Sequence, residues 1–421
     1  MAVKQLVSSR RVVITHAVRL AIGRFQGALS SMPAPELGAA VIRVLVKQSG
    51  IDPARIDEVL MGNVIQAGQG QAPARQAALK AGLPPTVGAT TVNKICGSGL
   101  KAAMFAAQAI IAGDADIVVA GGMESMTLGP YLLPNARQGY RLGDGILVDA
   151  TVHDGLWCAF ENQHMGNAAE WIAREYGLTR QELDEFAVGS HRKAIAAAQA
   201  GKFKAEIVPI EVPQRIGTPP LGLRPPGRTA SRSDGKGPPL LFDTDECPRS
   251  DTSPEALAKL RPAFQEGGVV TAGNSPGITD GAAAVLVMGE DVAAALGIQP
   301  LAVIIGYDQA AVEPREIFTA PIFAVQKLLH KTGYALADVD LIEINEAFAA
   351  QAVADGKALG VDWAKVNVHG GAIALGHPIG ASGARVLVTL IHALRDRKLK
   401  TGLATLCLGG GEAVAMMVER L

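Results

Sequence analysis

The chain has 421 residues, of which 48% are hydrophobic and 19% are charged. This composition predicts a globular protein with more than one packed unit, because single cores rarely extend beyond about 300 residues. Lysine and arginine number 39 against 40 aspartates and glutamates, which gives a net charge of −1. This balance argues against binding to nucleic acid or to a membrane surface through bulk charge.

The sequence also gives expectations about compartment. The N-terminal stretch MAVKQLVSSR lacks the apolar centre of a secretory signal, and we find no run of about 18 uninterrupted apolar residues that would span a membrane. The cysteines are scattered and form no C-x-x-C pair: Cys96, Cys158, Cys247 and Cys407. This pattern is typical of free thiols in a reducing compartment, so we expect a cytoplasmic protein.

Short apolar runs alternate with alanine-rich segments along most of the chain. The segments 11–18, 56–64 and 115–122 are short and rich in β-branched residues, which predicts buried strands. The segments 36–50 and 98–113 predict helices, and each ends in glycine, a frequent helix stop. This alternation predicts an α/β fold with a mostly parallel sheet.

An internal repeat divides the sequence into two halves. The segment 49–64 resembles the segment 332–347 without a gap, at an offset of 283 positions. The serine–glycine pair at 98–99 resembles the pair at 382–383 at a nearly equal offset of 284. A nearly constant offset over about fifty residues predicts two similarly folded halves.

The non-repeated text between them predicts an insertion. We predict an N-terminal half over 1–123, an inserted loop domain over 124–268, a return to the first half over 269–290 and a C-terminal half over 291–421. Within the insertion, the stretch 213–240 is rich in proline, glycine and arginine. Because such a stretch buries little apolar surface, we expect an exposed loop there.

Cys96 lies between a β-forming run and a helical run, in NKICGSGLKA. Unpaired N–H groups and the dipole at a helix N-terminus stabilise an anion, which predicts a lowered thiol pKa and a nucleophile. A small buried hydrophobe is the alternative. The same letters fit a degenerate G-x-G-x-x-A dinucleotide motif, a weak match because that motif normally follows the first strand of its unit.

Two histidines, His369 and His377, lie among five glycines in the segment 367–385. If the two halves pack about a pseudo-dyad, the repeat brings His377 close to Cys96, and a thiol within reach of an imidazole is an activated nucleophile. A structural histidine and a metal ligand are the alternatives. Neither histidine has a second ligand at the usual spacing, so we predict no metal site.

Polar residues follow two further predicted strands. Cys407 precedes three glycines, whose backbone N–H groups can point into a cavity, although a core cysteine is the alternative. Asn345 and Glu346 follow an apolar run, at the carboxyl edge where parallel sheets bind ligands. Capping of the next helix is their alternative role.

Taken together, these motifs resemble those of one family. NKICGSGLKA, NEAFAAQ, GGAIALGHPIGASGAR and CLGGGEA closely resemble the motifs of the thiolases, specifically the acetyl-CoA acetyltransferases. GGMESM, HMGNAAE, LRPAF and TAGNSPGITDGAAA extend the resemblance over nearly all of the chain. It implies a thiolase fold, with two similar βαβ-type halves in a layered αβαβα arrangement and an inserted loop domain over the active site.

The resemblance also implies a reaction. Such an enzyme condenses two acetyl-CoA molecules to acetoacetyl-CoA and CoA, or cleaves a 3-ketoacyl-CoA with CoA, through a cysteine acyl-enzyme. Cys96 would be the acyl-carrying nucleophile, His377 its base and Cys407 the second acid/base. His377 and a water on Asn345 would form one oxyanion hole, and the N–H groups of Cys96 and Gly409 the other.

Contacts with the substrate are implied by the same motifs. His164 and Met165 would line the acyl pocket, and Leu156 and Arg249 would contact the pantetheine and adenine end of CoA. Pro276 stands where many relatives have a serine, so that serine's contact is not carried over, and Ser275 one place earlier is kept as a candidate. Basic residues of the predicted loop would either attract CoA phosphates or be solvated: Arg215, Arg224, Arg228, Arg232 and Lys236.

The resemblance further implies partners and leaves alternatives. We expect acyl-CoA and CoA as the substrates and products, no metal or redox cofactor, no nucleic acid or membrane partner, and a homotetramer built as a dimer of dimers. A ketoacyl synthase shares the duplicated fold but typically has histidine where Cys407 stands. A non-catalytic acyl-CoA- or lipid-binding relative is the other alternative. The direction of the reaction and the acyl chain length are left open.

Overall fold

The computed structural model describes residues 10–213 and 238–421. The five basic residues of the predicted loop, and most of the stretch 213–240, lie outside the described residues. Their proposed contact with CoA phosphates therefore stays a prediction.

Helices and strands alternate through the described ranges. The helices are α1 Ala34–Ser49, α2 Pro73–Ala81, α3 Ser98–Ala112, α4 Ala150–Gly155, α5 Met165–Glu175, α6 Arg180–Gln199, α7 Pro254–Ala258, α8 Glu290–Ala295, α9 Ala320–Thr332, α10 Ala349–Leu359, α11 Ala372–Leu375 and α12 Ile379–Arg397. The strands are β1 Val12–Leu20, β2 Gly23–Arg24, β3 Glu58–Gly62, β4 Gly88–Val92, β5 Ile117–Ser125, β6 Tyr131–Leu132, β7 Val148–Asp149, β8 Trp157–Cys158, β9 Gln163–His164, β10 Ile207–Val208, β11 Ile210–Val212, β12 Leu240–Phe242, β13 Thr279–Gly289, β14 Ala302–Ala311, β15 Leu341–Ile344, β16 Thr401–Leu408 and β17 Glu412–Arg420.

The predicted strands and helices are confirmed near their expected bounds. The three apolar runs form β1, β3 and β5, and the two alanine-rich segments form α1 and α3. Both helices end at the predicted glycines, Gly50 with φ of 65° and Gly113 with φ of 83°. Glycine is favoured there because this left-handed conformation is costly for residues with a Cβ atom.

One large sheet runs through both halves in the order β4-β3-β5-β13-β1-β14-β17-β16-β15. Read outwards from its centre, β1-β13-β5-β3 in the first half corresponds to β14-β17-β16-β15 in the second. The halves meet where β1 pairs with β14 in antiparallel register, Val13 with Val303 and Ile14 with Ala302. This symmetry confirms the two similar halves that the repeat predicted.

The mostly parallel sheet was a wrong expectation. Parallel pairing joins β3 with β4 and β5, and β15 with β16, whereas the pairs of β13, β14 and β17 with their neighbours are antiparallel. The connection from β16 to β17 is the three-residue turn 409–411. So short a turn joins only antiparallel strands, because a parallel crossover needs about a dozen residues or more.

Two aspartates make equivalent contacts in the two halves. The Asp57 carboxylate accepts the backbone N–H groups of residues 116–117 at 2.7 and 2.9 Å, at the start of β5. Asp340, 283 positions later, accepts those of residues 400–401 at 2.8 Å each, at the start of β16. The repeat therefore extends from the sequence to hydrogen bonds that hold parallel strands in register.

Helices form three layers around the two halves of the sheet. α1 and α2 cover the first half, and α9 packs on β14, β17 and β16 of the second. α3 and α12 pack against each other between the halves, and α12 contacts strands of both. A Cβ on Gly99 would lie 2.6 Å from the Ala384 nitrogen, so glycine permits this close crossing. The layered αβαβα arrangement is confirmed.

The central helix α3 is strongly apolar. By length and hydropathy, the stretch Ile95–Ala112 falls in the range of membrane spans, and 56% of it is buried inside the protein. Buried core helices commonly have this composition. In the structure, this helix lies in the middle layer between the two halves.

The residues between β5 and β13 contribute α4 to α7 and several short hairpins. A buried ion cluster fastens this insertion to β1: Arg19, which is fully buried, donates to Glu206 at 2.6 Å and to Asp245 at 2.7 Å. The predicted boundaries at 123/124, 268/269 and 290/291 stay predictions, and β5 and β13 extend to Ser125 and from Thr279.

Candidate active site

A cavity of about 720 Å³ opens between the two halves and the insertion. Nine of the ten predicted site residues line it: Cys96, Leu156, His164, Met165, Arg249, Ser275, His377, Cys407 and Gly409. The tenth, Asn345, is fully buried directly behind His377. The structure thus brings together side chains from both halves and from the insertion, which lie up to 313 positions apart in the sequence.

Cys96 sits on a tight turn between β4 and α3. Ile95, just before it, has a φ of 46°, a rare conformation for a β-branched residue. The Ser98 hydroxyl holds the turn, because it accepts the Lys94 N–H at 2.8 Å and donates to the Ile95 carbonyl at 2.6 Å. A Cβ on Gly97 would lie 2.2 Å from the Leu408 side chain. Such strained residues persist where the surrounding structure holds them, often at functional sites.

The Cys96 sulfur faces the cavity beside two backbone donors. The backbone N–H groups of Cys96 itself and of Gly409 both lower the thiol pKa. Burial outweighs them and raises the pKa of Cys96 to about 12, with a further increase from the Glu124 charge. The predicted lowering of this pKa was therefore wrong, because desolvation by the cavity wall exceeds the effect of the helix N-terminus.

His377 is 6% exposed, in the turn before α12. Its Nδ1 lies 2.6 Å from the Ser382 hydroxyl oxygen, and that hydroxyl donates to the Pro378 carbonyl at 2.9 Å. Since the Ser382 hydrogen is already used, Nδ1 carries the ring proton and Nε2 is an acceptor. Burial lowers the His377 pKa to about 3, and the Arg385 charge lowers it further. The imidazole is thus neutral at physiological pH, and its Nε2 is unprotonated.

Asn345 and Cys407 complete the polar part of the site. Asn345 follows β15, and its Nδ2 lies 3.5 Å from Nε2 of His377. Among the described residues its Oδ1 has no hydrogen-bond partner. Cys407, in β16, is 1% exposed, and burial raises its pKa well above the ordinary value, with Cys96 as the next cause. The resting site therefore holds two thiols and one neutral imidazole.

Neither Asn345 nor Glu346 caps the following helix, because α10 begins at Ala349 with Phe348 in the capping position. The fully buried Glu346 instead accepts hydrogen bonds from Ser190 Oγ at 2.7 Å and Asn367 Nδ2 at 2.8 Å. It also accepts the N–H of a residue in α11 at 3.0 Å. The strand-end turn is therefore fixed to three other segments.

Aromatic rings enclose the end of the cavity near His164 and Met165. The His164 ring stacks on Phe264 at 4.9 Å between centroids, and Phe348 contacts both Phe264 at 6.0 Å and Phe318 at 5.6 Å. Sequence reasoning did not single out these three phenylalanines. Phe264 and Phe348 lie inside the LRPAF and NEAFAAQ motifs, which could have indicated them, whereas Phe318 gave no signal.

The other end of the cavity is more polar. Arg249 also lines an adjoining cavity of about 340 Å³, and its backbone N–H donates to His191 Nδ1 at 3.1 Å. The Ser275 hydroxyl donates to the Thr271 carbonyl at 2.7 Å, and Pro276 lines the cavity beside it. Ser275 thus has its hydrogen occupied and can offer a ligand only its oxygen lone pairs.

Family models match both halves of the chain. The model described as "Thiolase, N-terminal domain" matches residues 12–291, and "Thiolase, C-terminal domain" matches residues 298–420. The chain belongs to the thiolase family. The thiolase N-terminal model spans the insertion as well as the first half, as expected of a domain whose strands β5 and β13 pair across it.

Full-length relatives agree with the family. The chain is 56% identical over 409 residues to the acetyl-CoA acetyltransferase of Pseudomonas aeruginosa, covering 97% of this chain and 99% of that protein. It is 54% identical over 413 residues to the acetyl-CoA acetyltransferase of Escherichia coli, covering 98% and 100%. The crystal structure of the Bacillus anthracis acetyl-CoA acetyltransferase matches with a TM-score of 0.92 and 42% identity, covering 99% and 100%. The residues that the structure describes in this thiolase therefore have the thiolase fold.

Proposed function

We propose that this thiolase is an acetyl-CoA C-acetyltransferase, which joins two acetyl-CoA molecules to acetoacetyl-CoA and CoA or catalyses the reverse thiolysis. Its full-length relatives carry that name at over half identity. The observation that carries the proposal is the arrangement around one cavity of two cysteines and a histidine whose Nε2 is free to accept a proton. The second cysteine is the feature that a ketoacyl synthase typically lacks.

The first half of the condensation acetylates Cys96. The Cys96 sulfur bonds to the thioester carbonyl carbon of acetyl-CoA, while its proton moves to His377 Nε2. The resulting oxyanion collapses, the bond to the CoA sulfur breaks, and the departing thiolate takes the proton of Cys407. The products are free CoA, acetylated Cys96, a protonated imidazole and a Cys407 thiolate.

The second half forms the carbon–carbon bond. The Cys407 thiolate removes a proton from the methyl group of a second acetyl-CoA, and the enolate attacks the acetyl carbonyl on Cys96. The bond to the Cys96 sulfur then breaks, and that sulfur takes back the proton from His377. All three groups return to their resting protonation. A raised pKa suits Cys407, because only a strong base removes a proton from such a weak carbon acid.

Two sets of donors would stabilise the oxyanions. The N–H groups of Cys96 and Gly409, which both lower the Cys96 thiol pKa, would reach the oxygen of an acyl group bound to that sulfur. For the enolate oxygen we propose His377 together with a water held by Asn345, whose Nδ2 lies 3.5 Å from the imidazole. No redox cofactor or metal takes part in these steps, and CoA is a substrate or product.

The same proposal extends to assembly and compartment. We infer a homotetramer in the cytoplasm, with a role in fatty acid metabolism. Support for self-association comes from the connection between β6 and β7, where Leu142 is 99% exposed and Ile146 is 76% exposed. Exposed apolar clusters of this kind commonly mark protein interfaces. Sedimentation equilibrium would test the tetramer, and a monomer at micromolar concentration would contradict it.

Thiolysis of acetoacetyl-CoA by CoA, followed through loss of the enolate absorbance, tests the activity. Wild type should be active, and Cys96→Ala and Cys407→Ala should each lose at least about a thousandfold in kcat, as removal of a nucleophile or general acid/base does. Cys158→Ala is the matched control, since Cys158 lines the same cavity but has no part in the steps above. An inactive wild type that binds acyl-CoA would instead favour a binding protein.

A further inference from the structure

A buried glutamate that the proposed chemistry does not use links the two halves of the fold. Glu124 lies near the end of β5, in the motif GGMESM, and is fully buried. Its Oε1 accepts Asn63 Nδ2 at 2.8 Å and the Ile65 N–H at 3.2 Å. Its Oε2 accepts the Val64 N–H at 3.0 Å and the Gly380 N–H at 2.9 Å. Four donors therefore converge on one carboxylate.

These donors come from different halves of the protein. Residues 63–65 follow β3 in the first half, whereas Gly380 lies in the first turn of α12 in the second half. Gly380 is three positions after His377, so its N–H belongs to the turn that carries the proposed base. Through this single side chain, the first half, which carries Cys96, holds the turn that carries His377.

The packing around this link leaves little freedom. A Cβ on Gly380 would lie 2.6 Å from Glu124 Oε2, and a Cβ on Gly122 would lie 2.0 Å from the Gly380 carbonyl oxygen. Both glycines therefore let the backbone of α12 approach β5 closely. A shift of the α12 N-terminus would therefore break the hydrogen bond from the Gly380 N–H to Glu124 or open the close contact between α12 and β5.

The electrostatic setting indicates that Glu124 acts as a carboxylate. Each of its four partners is an N–H donor, so protonation of the carboxyl would cost at least one of the bonds. No salt bridge reaches Glu124 from residues 10–213 or 238–421. Burial raises its pKa to about 7, and the facing groups are Asp280 on β13, which raises it further, and the Cys96 thiol. The link is thus intact above neutral pH and weakens below it.

We propose that Glu124 is a positioning residue, which holds the His377 turn of the second half in register with Cys96 of the first half through the Gly380 N–H. This inference rests on the proposed thiolase activity. Glu124 lies outside the residues that line the cavity, so we assign it no contact with the substrate. Glu124 would act by setting the distance between the His377 imidazole and the Cys96 thiol. Its loss should therefore change kcat more than KM.

The test is Glu124→Gln, which keeps the shape of the side chain but turns an NH₂ group towards two N–H donors. We expect kcat for thiolysis to fall at least tenfold, with the KM for CoA within about twofold of wild type. In wild type, kcat should also fall as pH drops through about 7, because protonation costs one of the four bonds, and the variant should lack this limb.

Glu170→Gln is the matched control. Glu170 is also buried and accepts two backbone N–H groups, from Val269 at 2.9 Å and Val270 at 2.8 Å, but it does not touch the His377 turn. Its variant should keep kcat within about twofold. Equal losses in the two variants, or an unchanged kcat in Glu124→Gln, would overturn the inference.

The two hypotheses fail in different ways. If wild type shows no thiolysis, the proposed function fails; if wild type is active and Glu124→Gln matches it, only the positioning role fails. If Glu124→Gln does not fold, the pH dependence of wild-type kcat tests the positioning role by itself. A kcat that stays constant from about pH 8 down to about pH 6 would then overturn the role of the Glu124 carboxylate.

Discussion

The Nδ1 atom of His377, just before α12, lies 2.6 Å from the hydroxyl oxygen of Ser382 in the first turn of that helix. Because that hydroxyl donates its hydrogen to the Pro378 carbonyl, the imidazole must place its own proton on Nδ1. The tautomer that leaves Nε2 free for the Cys96 proton is therefore set by a serine that does not line the cavity.

Ser382→Ala should lower kcat for thiolysis about tenfold while leaving KM nearly unchanged. The lost hydrogen bond corresponds to about 1.4 kcal/mol, and without it the ring also populates the other tautomer. Thr389→Val is the control, since Thr389 is a buried hydroxyl on the same helix that donates to Glu206 at 3.3 Å. Steady-state kinetics of both variants would show whether the loss is specific to Ser382, and a Ser382→Ala enzyme with wild-type kcat would refute the tautomer argument.

Alkylation of Cys96 should report the resting protonation of the site. Its thiol has a pKa of about 12 and the His377 imidazole a pKa of about 3, so both are uncharged at neutral pH. The rate of modification by iodoacetamide should rise steadily from about pH 5 to about pH 9, because the thiolate fraction rises with pH. Peptide mass spectrometry would follow Cys96 separately from the other cysteines. A rate that is flat through this range would indicate a preformed thiolate–imidazolium pair instead.

Removal of Arg19 should destabilise the protein strongly. Its guanidinium is fully buried against Glu206 and Asp245, and truncation leaves those carboxylates buried without a cation. We expect Arg19→Ala to cost about 3–5 kcal/mol in the free energy of unfolding. Urea unfolding would measure it.

Arg10→Ala provides the comparison for Arg19→Ala. Arg10 also meets two carboxylates, Asp116 at 2.7 Å and Asp291 at 2.9 Å, but both of these are more than 60% exposed. Exposed pairs contribute about 0–1 kcal/mol, so its loss should shift the urea midpoint far less. Similar costs for the two variants would contradict the distinction between buried and exposed ion pairs.

Two glycine-to-alanine variants should have opposite effects. In Gly99→Ala, the new Cβ would meet the Ala384 nitrogen at 2.6 Å, so α3 and α12 would be forced apart, with a cost of about 1–3 kcal/mol or more and a loss of activity. In Gly189→Ala, within α6, the Cβ meets nothing within 4 Å. That variant should be more stable by about 0.5–1 kcal/mol, because alanine favours the helix. Thermal unfolding would test both, and a stable, active Gly99→Ala would contradict the close crossing.

Much of the site was predictable because its residues stand in motifs with a local mechanism. The glycines around Cys96 and His377 indicated tight turns, and the repeat placed the two turns beside each other. The antiparallel pairing of β17 with β16 could also have been predicted from the sequence, since the turn 409–411 is too short for a parallel crossover. The mostly parallel sheet was predicted because periodicity identifies strands without showing their direction.

Other features could not be obtained from sequence, because they depend on tertiary burial. The raised pKa of Cys96 results from the cavity wall around it, whereas the helix N-terminus alone suggested the opposite direction. Ser382 and Glu124 both lie in recognised motifs, but the motifs do not show what these side chains contact. Ser382 contacts His377, 5 positions away, and Glu124 contacts Gly380, 256 positions away. The contact of Glu124 with Gly380 forms only once the two halves are packed.

The most direct test of the account is the position of the acyl group. Wild type is mixed with acetyl-CoA alone, quenched in acid and digested, and each cysteine peptide is weighed by mass spectrometry. We expect one acetyl group on the peptide that contains Cys96, release of CoA, and no acetylated peptide in Cys96→Ala. An acetyl group on Cys407 instead, or an active enzyme that carries no acetyl group on Cys96, would contradict it.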